Sequence, residues 1–153
     1  MDIGDVVEDF SLDDQFGVTQ SLYHLLEVGP MVLFFYPAAM TKGCTIESCH
    51  FRDLKSEFAA LGAQRIGISR DPIAKQRQFS DLHVFDFPLL SDTAGAVANQ
   101  FGVARNMKLL PVKRWTFVIG TDRRLVETIK SEIRMDSHAD RALVTLRRVG
   151  SLG

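Results

Sequence analysis

Twenty consecutive residues, Phe34 to Asp53 (FFYPAAMTKGCTIESCHFRD), limit what this chain can become. They begin inside an apolar run, Met31 to Tyr36, whose length and lack of polar interruption predict a buried strand. Pro37 breaks the run and a loop of small and polar residues follows. The pattern then turns helical and carries both cysteines of the protein, Cys44 where the helix begins and Cys49 five residues on. At a helix N-terminus, unpaired backbone N–H groups and the positive end of the helix dipole favour a thiolate over a thiol. A strand that delivers a cysteine to such a position points to thiolate chemistry. A buried, inert cysteine is the competing reading.

The spacing of Ile46, Cys49, Leu54, Phe58 and Leu61 predicts one amphipathic helix ending at Gly62. Ahead of the central run, Phe10–Leu12 and Val18–Ser21 flank a turn-rich stretch and predict a hairpin, and Ser21 is placed to cap a short helix over Leu22–Glu27. Beyond it, Arg65–Ser69 predicts a second parallel strand, and Asp71-Pro72 an N-cap with proline at the first helical position. Phe87–Leu90 predicts a third strand, followed by a helix over Ala94–Phe101 capped by Ser91 or Asp92. Trp115–Ile119 and Leu125–Ile129 form a hairpin pattern, and Ser137 opens a closing helix with Ala142, Leu143, Leu146 and Val149 on one face. Two parallel crossovers and then a hairpin and helix predict an α/β fold with a central mixed sheet and helices on both faces. A thioredoxin-like sheet satisfies that order, and a small doubly wound sheet is its rival.

The 153 residues suit a single domain, with no repeat or linker to divide them. A net charge of −1 leaves no basic field to gather nucleic acid or an anionic membrane. The N-terminal MDIGDVVEDFSLDD lacks the basic and apolar segments of a secretory signal, and no apolar run approaches the ~18 residues of a membrane span. A cytoplasmic protein is expected. There, two cysteines are more often catalytic or redox-active than structural.

Their spacing makes a mechanical point. Five residues of ideal helix give about 7.5 Å of rise and place the two Cα atoms roughly 8.6 Å apart. A disulfide tolerates no more than about 7 Å. If Cys44 and Cys49 bond, the helix between them must first unwind. A metal site has little behind it: there is no C-x-x-C, and His24, His83 and His138 are scattered. No glycine-rich phosphate loop is present either.

Pro37-x-x-x-Thr41-x-x-Cys44 resembles the active-site signature of the peroxiredoxins, P-x-x-x-T-x-x-C. The wider string YPAAMTKGCTIESCHFRD is similar to the peroxiredoxin Q, or bacterioferritin comigratory protein, subgroup, in which a second cysteine often follows the first by five residues. The likeness continues through GISRDP, FPLLSD, Phe101-Gly102-Val103 and RWTFVIG, so it spans nearly the whole chain. Ala38, Ala39, Met40 and Lys42 depart from the usual loop.

The resemblance implies a thioredoxin-like fold and thiol-dependent reduction of hydrogen peroxide or organic hydroperoxides, with no metal or flavin cofactor. It implies Cys44 as the peroxidatic thiolate and Cys49 as the resolving thiol. Thr41 would offer its hydroxyl to a peroxide oxygen, Pro37 would shield the thiolate from water, and Arg114 would hold its charge. A guanidinium suits that last role, since it cannot lose its proton and presents a rigid fork of donors. Glu47 either orients an arginine or is an exposed helix residue, the second being the preferred reading. The implied partners are peroxides and thioredoxin or a similar dithiol, acting on a monomer or weak dimer. A redox sensor on the same fold is the alternative function.

Overall fold

The computed structural model describes residues 1–108, 110–131 and 134–152. A short antiparallel hairpin, β1 (Ser11–Asp13) and β2 (Thr19–Ser21), leads into α1 (Leu22–Leu26), where the Ser21 hydroxyl accepts from the His24 amide as an N-cap. A five-stranded mixed sheet follows. It contains β3 (Met31–Phe35), β4 (Gln64–Ser69), β5 (Leu89–Ser91), β6 (Trp115–Ile119) and β7 (Leu125–Lys130), in the order β5-β4-β3-β6-β7. β3, β4 and β5 are parallel, while β6 runs antiparallel to β3, and β7 to β6. The helices between and after them are α2 (Lys42–Asp53), α3 (Lys55–Ala60), α4 (Ile73–His83), α5 (Ala96–Gln100) and α6 (Ser137–Leu152). This is a thioredoxin-like architecture, one of the two that the element order allows; the antiparallel β6 and β7 rule out the doubly wound rival.

β3 is apolar throughout because both of its faces are covered. Met31, Leu33 and Phe35 enter one core with α1 and α5, whereas Val32, Phe34 and Tyr36 enter a second with α2, α3, α4 and α6. The second core is rich in rings, and Phe34 stacks on Phe51 of α2 with centroids 4.2 Å apart and planes 8° from parallel. Gly67 on β4 makes room for it: a Cβ there would lie 2.8 Å from Leu89, 3.0 Å from Phe34 and 3.1 Å from Tyr36. Glycine is the residue that fits.

Several local expectations change. The helix predicted to run to Gly62 breaks at Leu54 (φ −92°, ψ 21°), so two helices share its length. Its buried face carries Cys44, Glu47, Ser48 and Phe51, while Ile46 remains exposed. Asp71 does not cap α4, whose N-cap is Pro72 with no side-chain bond; its carboxylate is used elsewhere. Asp92 does serve α5, accepting from the Val97 and Ala98 amides at 3.2 and 2.9 Å. Ser137 is the first residue of α6 and its hydroxyl turns back to the Arg134 carbonyl, while Val149 lies outside the core. Among the described residues no helix is long and apolar enough to cross a membrane.

Candidate active site

The sheet register assembles the site. β3 ends at Phe35, Tyr36 and Pro37 continue it into the interior, and the loop Ala38–Thr41 leads to α2. β6 pairs with β3 in the opposite sense, with Phe34 opposite Thr116. Continuing that register sets Arg114 beside the place where the loop leaves Tyr36. Arg114 is buried, and its Nη2 lies 3.3 Å from the Sγ of the equally buried Cys44. Seventy residues apart in the chain, the guanidinium and the thiol meet inside the protein. The contact sets a guanidinium, which does not lose its proton, directly against the sulfur.

Cys44 is the third residue of α2, within the turn whose amides lack helical partners. Gly43 before it carries no side chain, and a Cβ would sit 3.2 Å from Arg114 Nη2 and 3.4 Å from Met135. Guanidinium and thioether both use that space. Thr41 is the N-cap residue of α2, and its hydroxyl donates to the Ala38 carbonyl at 2.8 Å. With its hydrogen so committed, the hydroxyl is not placed to donate to a peroxide oxygen as the resemblance implies; it keeps lone pairs that can accept from a peroxide O–H instead. Pro37 is buried at the end of the strand run. Cys49 is half-buried on the same unbroken helix, and both cysteines are free. Burial pushes its thiol above the usual range; the Arg52 charge opposes that shift and Asp53 adds to it.

Two supporting networks were not evident from residue spacing. Behind the thiol, the fully buried Glu47 places Oε1 3.5 Å from Arg114 Nη1 and Oε2 3.5 Å from His138 Nε2. The arginine-orienting reading of Glu47 therefore fits better than the preferred exposed one. Its distance of three from Cys44, nearly one turn, was the available signal. His138, on α6, is held at both ring nitrogens, by Thr116 Oγ1 and the Ser131 carbonyl, each at 2.7 Å. The carbonyl can only accept, so Nε2 carries a hydrogen.

On the other side, Tyr36 donates its hydroxyl to Gln76, which donates to Ser69 Oγ at 2.9 Å and the Leu90 carbonyl at 2.8 Å. Ser69 and the Ala39 amide both donate to Asp71 Oδ2 at 2.7 Å. The active-site loop is thus tied by a backbone amide to the ends of β4 and α4. Burial, reinforced by the charges of Asp71 and Cys44, holds the Tyr36 hydroxyl protonated well above its ordinary range, against the lowering effect of its hydrogen-bonded neighbours Ser69 and Gln76. Among the described residues, no group of three His, Cys, Asp or Glu side chains is gathered in a way that could hold a metal.

The chain as a whole is similar to known proteins. The AhpC/TSA family matches residues 3–128. The chain belongs to that family. Peroxiredoxin Bcp of Escherichia coli K12 is 32% identical over 149 residues, covering 94% of each chain. The crystal structure of peroxidoxin BcpB from Mycobacterium tuberculosis is 59% identical, with a TM-score of 0.94 over 97% of this chain and 98% of that one. A structure of Xanthomonas campestris bacterioferritin comigratory protein, from work on its alkyl peroxide reduction, has 29% identity and a TM-score of 0.84, covering 92% of each. As an AhpC/TSA member with peroxiredoxin Bcp and peroxiredoxin Q relatives, the chain is a thiol peroxidase, an oxidoreductase.

Proposed function

We propose that this peroxidase works through two cysteines, Cys44 attacking the peroxide and Cys49 resolving the product, and that a dithiol protein such as thioredoxin restores it. The observation that carries the reading is the 3.3 Å contact between Arg114 and the Cys44 sulfur at the helix start. The Cys44 thiolate attacks one peroxide oxygen, the O–O bond breaks, and the departing oxygen takes a proton to leave as water or an alcohol. Cys44 becomes a sulfenic acid. Arg114 faces the sulfur and is placed to stabilise charge as it spreads onto the two oxygens. Thr41 accepts a hydrogen bond from the peroxide, and Pro37 limits water at the sulfur.

Cys49 then attacks the Cys44 sulfur, the sulfenic oxygen leaves as water, and a disulfide forms. Two electrons from the external dithiol return both thiols. Because α2 is continuous through both positions, their Cα atoms stand roughly 8.6 Å apart by helix geometry. The second step therefore needs local unwinding, and the resulting disulfide is exposed and easily reduced.

Stopped-flow oxidation by hydrogen peroxide and by a bulky hydroperoxide, followed by coupling to thioredoxin, tests this. Cys44→Ser is expected to abolish peroxide reduction. Cys49→Ser is expected to consume about one equivalent of peroxide per thiolate and then stop. Full thioredoxin-linked turnover by Cys49→Ser would remove Cys49 from the mechanism.

A further inference from the structure

The first turn of α6 grips α2 at two points that bracket Cys49. His138 Nε2, whose hydrogen points to the Ser131 carbonyl, packs against Glu47 Oε2 at 3.5 Å without a hydrogen bond between them, and Asp140 Oδ1 meets His50 Nε2 at 2.9 Å. Glu47 lies two residues before Cys49 and His50 directly after it. The first contact is wholly buried, whereas Asp140 is largely exposed. His138 is itself anchored to β6 through Thr116, so the grip is continuous with the sheet.

We propose that His138 and Asp140 are positioning residues that hold α2 folded around Cys44, and that releasing their hold on Glu47 and His50 sets the rate at which Cys49 reaches Cys44. This rests on the two-cysteine reading above. Unwinding the turn between the cysteines carries Glu47 away from His138 and Arg114, and draws His50 from Asp140. While the grip holds, Arg114 remains on the Cys44 sulfur and the site stays competent for peroxide. Loosening it moves the sulfenic acid sooner toward disulfide. The sulfenic acid then has less time to meet a second peroxide, whose oxygen would convert it to sulfinic acid with loss of water or an alcohol.

Asp140→Ala is the primary test because the residue is exposed and alanine suits a helix. The reduced proteins are followed by amide hydrogen exchange over residues 44–49. They are then mixed with one equivalent of hydrogen peroxide, and Cys44–Cys49 disulfide is measured by rapid quench and mass spectrometry. Asp140→Ala is expected to exchange and to form disulfide about two- to fivefold faster, as loss of one partly exposed pair allows. Its sulfinic acid yield under excess peroxide should fall. His50→Ala is expected to match it, and the double variant to be no faster than either single one. His138→Asn, which can donate one hydrogen bond and accept another but removes the ring packed against Glu47, is expected to accelerate both by a similar factor, about two- to fivefold. Arg141→Ala, an exposed change on the same helix, should behave as the parent.

Unchanged exchange and disulfide formation in both Asp140→Ala and His138→Asn would overturn the grip while leaving the two-cysteine cycle intact. Absence of a Cys44–Cys49 disulfide in the parent would instead overturn that cycle. Exchange over 44–49 would still decide whether α6 holds α2, and a proposal about resolution would then fail with the cycle.

Discussion

Arg114 stands between two acids of different kinds, the Cys44 thiol and the Glu47 carboxylate, with one guanidinium nitrogen toward each. Replacing it by alanine removes the charge from both, and the peroxide step is expected to slow by about 10²–10³-fold, the usual consequence of losing a preorganised donor. Stopped-flow measurement of Cys44 oxidation reads this directly. Lysine should recover little, because a point charge cannot serve sulfur and carboxylate as a planar fork does. Gly43→Ala probes the same spot sterically: its Cβ would press on Arg114 Nη2 at 3.2 Å, so the same step should slow with little loss of stability. At this scale the sequence pattern reached the cysteines through periodicity, and Arg114, Thr41 and Pro37 through a family signature. It did not reach Asp71, whose place before proline resembles a helix cap. Its bond to the Ala39 amide across 32 residues has no local trace.

At the scale of the element, α2 carries the candidate site and, in the proposed two-cysteine cycle, is also the segment that opens. The break at Leu54 separates it from α3, so α2 can unwind without dragging the following helix. Periodicity concealed this break because Leu54 and Phe58 keep helical spacing across it. It also put Ile46 inside and Glu47 outside, since a buried glutamate paired with arginine and histidine contradicts any apolar stripe. Cys49 adds a pH dependence to the opening. Burial raises its folded value above that of an unwound thiol. The neutral thiol therefore favours the helix fully below the ordinary thiol value near 8.5, and that preference is lost as pH climbs through the raised folded value. Disulfide formation should accelerate above about pH 8.5. Hydrogen exchange over residues 44–49, corrected for intrinsic rates, should show the same rise in the parent and less of it in Cys49→Ser. An identical profile in the two proteins would remove Cys49 ionisation as the cause.

For the whole molecule, the order of strands and crossovers was legible because parallel strands need helices between them and the final hairpin needs none. What could not be read was how the two faces of β3 divide the labour, since an uninterrupted apolar strand looks alike from both sides. The face bearing Val32, Phe34 and Tyr36 supports α2 and the site, whereas the face bearing Leu33 and Phe35 packs on α1 and α5. Two truncations separate these roles. Phe51→Ala empties the stack on Phe34, and Phe101→Ala empties the opposite core, where Phe101 meets Phe35 and Phe117. Each should cost about 3–5 kcal/mol and lower Tm by roughly 10 °C in calorimetry. At a temperature where both variants remain folded, Phe101→Ala should oxidise and form disulfide at the parent rates. Phe51→Ala should form disulfide faster and react with peroxide more slowly, because the cavity lies under the helix that presents Cys44. Equal kinetic changes in the two variants would mean that overall stability, rather than the packing beneath α2, governs the cycle.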